Sequence, residues 1–312
     1  MIEGRPAGRE SRKLRGGSVP GAEGQPAYSL SVRDPAPLPV LIAVPHGGRA
    51  YPENLTALMR NPGATSLRLE DRFTDLIGEG VARETGASLL IAHAPRAMID
   101  LNRAPDDVDW DMVAGGAPEP RRLAAGRRAR SGLGLVPRRL PGFGELWKRR
   151  MTQQDLSARV EEIHVPYHAA LATTLEALRD RWGAALLIDL HSMPPLGPKR
   201  GVDAAPDFVI GDRFGAACDS SLSAAAIDHF CRAGRRVAHN RPYAGGYALD
   251  RHSAPPRGLH ALQVEICRSA YLDEHLQEPG PGMAEVTRLM VGLVRRLAEE
   301  LAGSRRFPQA AE

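Results

Sequence analysis

Three residues that can bind a metal ion or move a proton lie at or near the ends of apolar segments. His46 and His191 each close such a segment, and Glu265 lies within another. Ligands in open α/β sheets bind beyond the carboxyl ends of the strands, where these residues are expected. Two imidazoles and one carboxylate are also the usual ligand set of a catalytic zinc ion with one open position. The sequence therefore indicates a site that combines metal binding with proton transfer.

The two histidines differ in the strength of their local signal. His46 lies in the loop PHGGRAYP (45–52), whose glycines allow a metal or substrate to approach the backbone closely. A loop histidine that only bonds nearby carbonyls is equally consistent with this sequence. His191 follows Asp189 by two residues, so both share one strand face and the carboxylate can orient the imidazole. A satisfied core pair is the alternative, but a charge there costs free energy unless it is used, which favours function.

Glu265 is flanked by Val264 and Ile266, which places a carboxyl group within a buried strand. Burial raises the pKa of an unpaired carboxyl group. A raised pKa suits a group that first accepts a proton as a general base and then returns it as an acid. The alternative is a buried salt bridge with Arg268. We expect Glu265 to be functional.

Three carboxylates lie close together on a segment with helical spacing, SLRLEDRFTDLIGEGVARET (66–85). They are Glu70, Asp71 and Asp75. Because Asp71 and Asp75 are four residues apart, a continuous helix places them on one face. A solvated acidic face with interleaved arginines is the plainer interpretation of any one of these residues.

Two arginines and an asparagine lie in HAPRAMIDLNR (93–103), whose second half is expected to be extended. Arg96 and Arg103 each present a planar guanidinium group whose geometry matches a carboxylate. Asn102 directly precedes Arg103. Since the chain contains 38 arginines beside three lysines, a single arginine is weak evidence for a substrate site.

Strands and helices alternate along the predicted chain, which favours one α/β domain with a mostly parallel, helix-covered sheet. The helical segments are those with apolar residues at helical spacing. The predicted strands are 38–44, 88–94, 98–103, 185–192, 207–212, 236–239 and 261–268, and the predicted helices are 66–85, 152–181, 214–233 and 282–302.

Composition sets the limits of the domain and excludes several classes of protein. Residues 1–27 and 306–312 carry little to bury and predict disordered tails around a domain at 28–305. Residues 104–150 are rich in Asp, Pro, Gly and Arg and predict a surface insertion. No apolar run reaches the roughly 20 residues of a membrane helix. Three cysteines without a CxxC pair favour a reducing cytoplasm.

The net charge of +4 and the pI of about 9.2 are compatible with nucleic-acid binding. We do not expect that partner, because aromatic residues make up only 5% of the chain, too few for a stacking surface. The GxSxG elbow of serine hydrolases and the HExxH helix of common metalloproteases are both absent from the sequence. The expected partner is a small-molecule substrate, and the sequence leaves the oligomeric state open.

Six short strings, in order, resemble the N-formylglutamate amidohydrolase family. They are VPHGGRAYP (44–52), ED and FTD within 70–75, RAMIDLNR (96–103), DLHS (189–192), RPYAGGY (241–247) and LQVEICRSAYLDE (262–274). Each string is weak alone, but together they cover most of residues 38–280. This family resembles the zinc carboxypeptidase-like and aspartoacylase-like hydrolases. The resemblance implies a three-layer α/β/α fold with a mixed sheet.

The resemblance also implies one zinc ion per chain and a role for each site residue. It makes His46 and His191 zinc ligands and Glu265 the catalytic carboxylate. Asn102 and Arg103 match a clamp for the substrate carboxylate, with Arg241 as a further binding residue, and Arg96 is assigned to the oxyanion. In the carboxypeptidase pattern a Glu ligand follows the first His by three residues, where this chain has Arg49. We therefore assign the third ligand to Asp71, with Glu70 and Asp75 as alternatives.

The implied activity is hydrolysis of the amide bond of an N-acyl amino acid in the cytoplasm. N-formyl-L-glutamate is the default substrate, which would place the protein in histidine catabolism. An aspartoacylase-like or desuccinylase-like amidase acting on another N-acyl amino acid is the alternative within the same chemistry. A member without activity that binds acidic metabolites is the alternative from another class.

Overall fold

An eight-stranded mixed sheet forms the centre of the computed structural model, which describes residues 10–116, 126–198, 201 and 204–303. The strand order across the sheet is β1-β2-β4-β3-β7-β10-β8-β9, and β5 and β6 form a separate two-stranded ladder. The strands are β1 (Glu10–Gly16), β2 (Tyr28–Asp34), β3 (Val40–Val44), β4 (Ser88–Ala92), β5 (Arg139–Leu140), β6 (Gly144–Glu145), β7 (Ala185–Met193), β8 (Phe208–Gly211), β9 (Val237–His239) and β10 (Leu259–Cys267).

Helices cover both faces of the sheet. They are α1 (Glu53–Leu58), α2 (Pro62–Leu69), α3 (Thr74–Thr85), α4 (Arg127–Arg130), α5 (Gln153–Arg159), α6 (Val165–Trp182), α7 (Ser220–Arg232), α8 (Tyr247–His252) and α9 (Met283–Gly303), with a π-helical turn at Val160–His164 between α5 and α6. Helices α3, α7 and α9 pack on one face, and α6 packs on the other. The expected three-layer α/β/α arrangement is confirmed.

Parallel strands meet at the centre of the sheet. β4, β3, β7 and β10 are mutually parallel along their shared edges, while β1, β2 and β8 run antiparallel to their neighbours toward the centre. The central strands β3, β7 and β10 are buried along their whole length. Their carboxyl ends therefore meet at one edge, where the sequence places its chemically capable residues.

Two expectations about irregular segments are wrong. The disordered tail predicted for residues 1–27 is incorrect from Glu10 onward, because β1 pairs with β2 along its length and Val19 and Ala27 are buried. A polar edge strand lacks the apolar run by which buried strands are detected, so composition alone missed it. Residues 1–9 and the predicted C-terminal tail at 306–312 lie outside the described residues.

The insertion predicted at 104–150 is not confined to the surface. Its described residues contribute to the same hydrophobic core as α6, and those side chains are Val108, Met112, Val113, Leu135, Val136, Leu146 and Trp147. These apolar residues are scattered among charged ones without helical or strand spacing, which is why the sequence pattern hid them. The described part of the insertion therefore packs against the core.

Two further predicted elements differ from the structure. Residues 98–103 form turns rather than a strand, and the helix predicted at 66–85 is broken between α2 and α3. At the break Phe73 adopts a left-handed conformation with φ of 59°, and the Asp71 backbone N–H donates to the carbonyl of His46.

Among the described residues, no helix is both long and apolar enough to cross a membrane.

Candidate metal centre and catalytic site

The carboxyl ends of three central strands bring His46, His191 and Glu265 together as the sequence predicts. In the parallel pairing of β7 with β10, His191 lies directly opposite Glu265, and Asp189 lies opposite Gln263. Because side chains alternate along a strand, these four residues share one face of the sheet. His46 enters from the loop after β3 and is almost fully buried.

Gly48, two residues after His46, lies against neighbouring backbone. A Cβ on Gly48 would lie 2.3 Å from the carbonyl oxygen of Ala94, so the absence of a side chain lets this loop pass close to the end of β4. The glycine thus fixes the course of the loop that carries His46.

Asp71 supplies a buried carboxylate between the two histidines. Its Oδ2 lies 3.0 Å from Nδ1 of His191 and 3.4 Å from Nδ1 of His46. Its Oδ1 accepts a hydrogen bond from Ser192 Oγ at 3.2 Å and lies 3.5 Å from the Arg268 guanidinium group. Asp71 faces the histidines because it lies in the break between α2 and α3, where helical geometry does not constrain it.

The three side chains have the geometry of a metal-binding group. One ligand atom from each of His46, Asp71 and His191 lies within 4.8 Å of the others. Metal–ligand bonds of about 2.0–2.1 Å in a tetrahedral zinc site place ligand atoms about 3.3 Å apart, and the two measured separations bracket this value. The buried Nδ1 atom of His46 makes no hydrogen bond to the described residues. An orphaned imidazole nitrogen in such a cluster fits a bound metal ion.

A second carboxylate contacts the Nε2 atom of each histidine, on the opposite side of the ring from Asp71. Nε2 of His46 lies 2.8 Å from Oδ1 of Asp100, and Nε2 of His191 lies 2.9 Å from Oδ2 of Asp189. Burial opposes ionisation of Asp100, but Arg96 and His46 hold the pKa of its carboxyl group well below the usual range. An ionised carboxylate only accepts hydrogen bonds, so Nε2 of His46 donates to Asp100, and Nδ1 is the ring nitrogen that faces Asp71.

Removal of a supporting carboxylate is expected to weaken metal binding. For Asp100→Asn we expect zinc affinity to fall about 10- to 100-fold, because the carboxylate raises the basicity of His46 and fixes its tautomer. Competition with a chromogenic chelator measures this change. Asp212→Asn is the matched control. Asp212 also accepts a hydrogen bond from a histidine, with its Oδ2 2.8 Å from His239 Nε2, but it lies outside the site. Equal zinc affinity in Asp100→Asn and the wild type would contradict the assignment.

Glu265 has the environment expected of a proton-transfer group. Its Oε1 accepts a hydrogen bond from Gln263 Nε2 at 2.9 Å. Burial is the main cause that raises the pKa of Glu265 to about 7, and Asp71 adds to this effect while His191 opposes it. Arg268, the alternative partner, instead donates to the carbonyl of Leu67 and to Ser192. The salt-bridge alternative is therefore not observed.

A polar cavity of about 140 Å³ opens onto these groups and contains most of the predicted substrate residues. Arg96, Asn102 and Arg103 all line it, whereas Arg241 is exposed and lies outside its wall. Asn102 is turned inward, with its amide nitrogen 3.3 Å from His191 Nε2 and 3.2 Å from Gln263 Oε1. Asn102 thus orients the site, and Arg103 is the member of the pair whose side chain is available to substrate.

The two alternative carboxylates are engaged elsewhere. Both oxygens of Asp75 accept hydrogen bonds from Arg49, at 3.0 and 2.6 Å. Glu70 Oε2 accepts from Arg72 at 2.9 Å. Arg49, which stands where the carboxypeptidase pattern has a Glu ligand, is therefore part of a surface ion pair. Of the three candidates, only Asp71 reaches the histidines.

Sequence reasoning missed the groups that support the site. Asp100 lies within the string RAMIDLNR, but the extended conformation predicted there does not show that its side chain contacts His46. Nε2 of His168 bonds the carbonyl of Leu101 at 3.0 Å, and Nε2 of His164 bonds that of Arg103 at 2.9 Å. These histidines brace the carbonyls on either side of Asn102. The signal available was the i, i+4 spacing of two histidines on one helix face.

This geometry defines an α/β protein with a candidate His₂–Asp metal centre and an adjacent carboxylate at the ends of its parallel strands. The sequence matches the profile of the N-formylglutamate amidohydrolase family over residues 38–272. It is 31% identical to an N-formylglutamate deformylase of Pseudomonas aeruginosa over 85% of this chain and 92% of the relative. The chain belongs to the N-formylglutamate amidohydrolase family, whose name denotes hydrolysis of an amide bond.

Two solved structures share the fold, and one of them is a member of the same family by name. The crystal structure of an N-formylglutamate amidohydrolase from Ralstonia eutropha has a TM-score of 0.80 at 31% identity and covers 89% of this chain and 99% of its own. A gene product of Agrobacterium tumefaciens, Atu2144, has a TM-score of 0.63 at 18% identity and covers 88% of this chain and 96% of its own. At this identity the similarity supports the fold and not the function.

Proposed function

We propose that the protein is a zinc-dependent amidohydrolase that cleaves the amide bond of an N-acyl amino acid. The observation that carries this proposal is the approach of two imidazole Nδ1 atoms to one Asp71 oxygen, with Glu265 opposite His191 in the neighbouring strand. Two neutral imidazoles and a carboxylate leave a position open in a tetrahedral zinc site, as catalysis requires. His46, Asp71 and His191 are the proposed ligands.

The chain's own residues supply proton transfer and orientation. When bound, zinc would act as a Lewis acid that polarises the amide carbonyl and lowers the pKa of a water molecule. Glu265 accepts a proton from the attacking water and returns it to the leaving nitrogen. Arg96 is fixed by two hydrogen bonds to Asp100 Oδ2, at 3.0 and 2.9 Å, and stabilises the negative charge that develops on the carbonyl oxygen.

The proposed substrate is N-formyl-L-glutamate, which would yield formate and glutamate. Curated relatives from two Pseudomonas species are named N-formylglutamate deformylase, which supports this choice over other acyl groups. The cavity has the matching charge, since arginines outnumber the carboxylates among its lining residues. We further propose a cytoplasmic role in histidine catabolism.

Formate release tests this function. Purified protein is assayed with N-formylglutamate before chelation, after chelation and after zinc is added back. We expect release that chelation abolishes and zinc restores. Release that persists in fully demetallated protein would contradict the zinc requirement. If zinc-loaded protein hydrolysed none of the N-acyl amino acids tested, that result would contradict the amidohydrolase proposal and favour a binding function.

Arg103→Ala is expected to raise KM for N-formylglutamate about 10- to 100-fold. A hydrogen bond to a charged group contributes about 1.5–3 kcal/mol, and 1.4 kcal/mol corresponds to a tenfold change. Steady-state kinetics measure the change, with Arg241→Ala as the control because Arg241 does not line the cavity. If KM rises in Arg241→Ala and not in Arg103→Ala, the carboxylate site is assigned to the wrong arginine.

A further inference from the structure

Five arginines line the small cavity, and they differ in how the protein engages them. They are Arg68, Arg96, Arg103, Arg128 and Arg268. Arg96 is bound to Asp100, and Arg268 donates to backbone carbonyls and to Ser192. The Arg103 Nε atom donates to the carbonyl of Leu133 at 3.1 Å.

Arg68 and Arg128 have guanidinium groups that remain available. Within the described parts of the chain, neither side chain makes a hydrogen bond or an ion pair, and Arg68 only lies over the Phe143 ring at 4.8 Å. Arg128 lies on α4 beside Ala129, whose side chain is fully buried. That buried neighbour fixes α4 against the body of the protein and holds Arg128 at the cavity wall.

Arginines outnumber carboxylates around this wall. Asp71 and Glu265 are the carboxylates of the cavity lining, and both belong to the proposed metal and proton-transfer machinery. Burial lowers the pKa of the Arg103 guanidinium group, Asp100 opposes this effect, and the charge of Arg128 adds to it, so Arg103 and Arg128 repel each other. A substrate that places one carboxylate at each of these arginines would offset this repulsion.

We propose that Arg128, together with Arg68, binds the side-chain carboxylate of an N-acyl dicarboxylic amino acid and thereby sets the specificity of the site. This inference rests on the proposed function, in which Arg103 binds the other carboxylate. The arginine-rich insertion then has a role in the site. Its helix α4 supplies the cation that determines specificity, and its Leu133 carbonyl accepts a hydrogen bond from Arg103. Arg128 and Arg68 would thus distinguish the proposed dicarboxylate substrate from N-acyl amino acids with neutral side chains.

The test compares N-formyl-L-glutamate with N-formyl-L-glutamine, which has the same shape without the second charge. Arg128→Met keeps the length of the side chain and removes its charge. We expect kcat/KM for N-formylglutamate to fall about 10- to 100-fold in Arg128→Met, mainly through KM, with little change for N-formylglutamine. Arg68→Met is expected to act in the same direction. Arg139→Met is the matched control, because Arg139 lies in the same insertion outside the cavity wall.

Binding of glutarate, measured by calorimetry, gives a readout that does not depend on turnover. We expect Arg128→Met to weaken glutarate binding and Arg139→Met to retain it. Equal preference for N-formylglutamate and equal glutarate affinity in wild type, Arg68→Met and Arg128→Met would overturn the proposal. Wild-type protein that binds glutarate through Arg128 but releases no formate would instead contradict the proposed function and leave the dicarboxylate subsite supported.

Discussion

Glu265→Gln is expected to lower kcat on the order of 10³-fold while zinc content stays at the wild-type level. Gln has the same shape as Glu, and its amide oxygen can still accept the hydrogen bond that Gln263 donates at 2.9 Å. The change therefore removes the ability to accept and return a proton and little else. Steady-state kinetics and elemental analysis on the same preparation measure the two effects.

Two comparisons make this result specific to Glu265. Glu274→Gln, at a largely exposed side chain, is the control for the substitution itself and should keep full activity. The thermal unfolding midpoint of Glu265→Gln should not fall, because the variant buries a neutral group where the wild type buries an ionisable one. Wild-type kcat in a correctly folded Glu265→Gln would remove the proton-transfer role from this residue.

Asp71→Asn is expected to lose nearly all bound zinc and, with it, nearly all activity. The neutral amide is a poor zinc ligand, and the change also removes the negative charge that faces both histidines at 3.0 and 3.4 Å. Zinc content after dialysis against a weak chelator measures the effect. Circular dichroism should show that secondary structure is retained, since Asp71 lies outside α2 and α3.

Asp75→Asn is the matched comparison because the sequence offers it as an alternative ligand. In the structure Asp75 pairs with Arg49 near the surface, an interaction that contributes about 0–1 kcal/mol to stability. We expect this variant to retain about one zinc ion per chain and normal turnover. Zinc loss in Asp75→Asn with zinc retained in Asp71→Asn would reverse the ligand assignment.

The central part of the site could be predicted because it depends on strand ends. His46, His191 and Glu265 each lie at or near the end of a conspicuous apolar run, and the carboxyl ends of parallel strands necessarily meet. The pairing of Asp189 with His191 also follows from the two-residue period of a strand. These residues therefore needed only local pattern and the general behaviour of α/β sheets.

The third ligand and the supporting residues depend on tertiary contacts that no local pattern reveals. Helical spacing runs through residues 66–85 without interruption, yet the Asp71 N–H bonds to the His46 carbonyl and the helix breaks there. Asp100 similarly lies in a turn in which its side chain accepts from the backbone N–H of Asn102 at 2.9 Å. Asp71 was selected among three carboxylates through the family resemblance, and Asp100 was not anticipated.

The fold was predicted where burial is strong and missed where it is not. The central strands and the long helices near 152–181 and 282–302 carry clear apolar spacing. β1 has the sequence ESRKLRG and pairs with β2 on an edge, where alternating burial is not required. The apolar residues of the insertion were hidden among arginines and glycines, although Val113, Leu135 and Leu146 are fully buried.

In the proposed metal centre, two imidazole Nδ1 atoms and Asp71 hold a zinc ion beside Glu265. Anomalous diffraction from zinc-loaded crystals, recorded at the zinc absorption edge, tests it most directly. We expect one anomalous peak per chain, about 2.0–2.2 Å from His46 Nδ1, His191 Nδ1 and an Asp71 oxygen. A peak bound by other side chains, or none at this position in crystals that contain zinc, would contradict it.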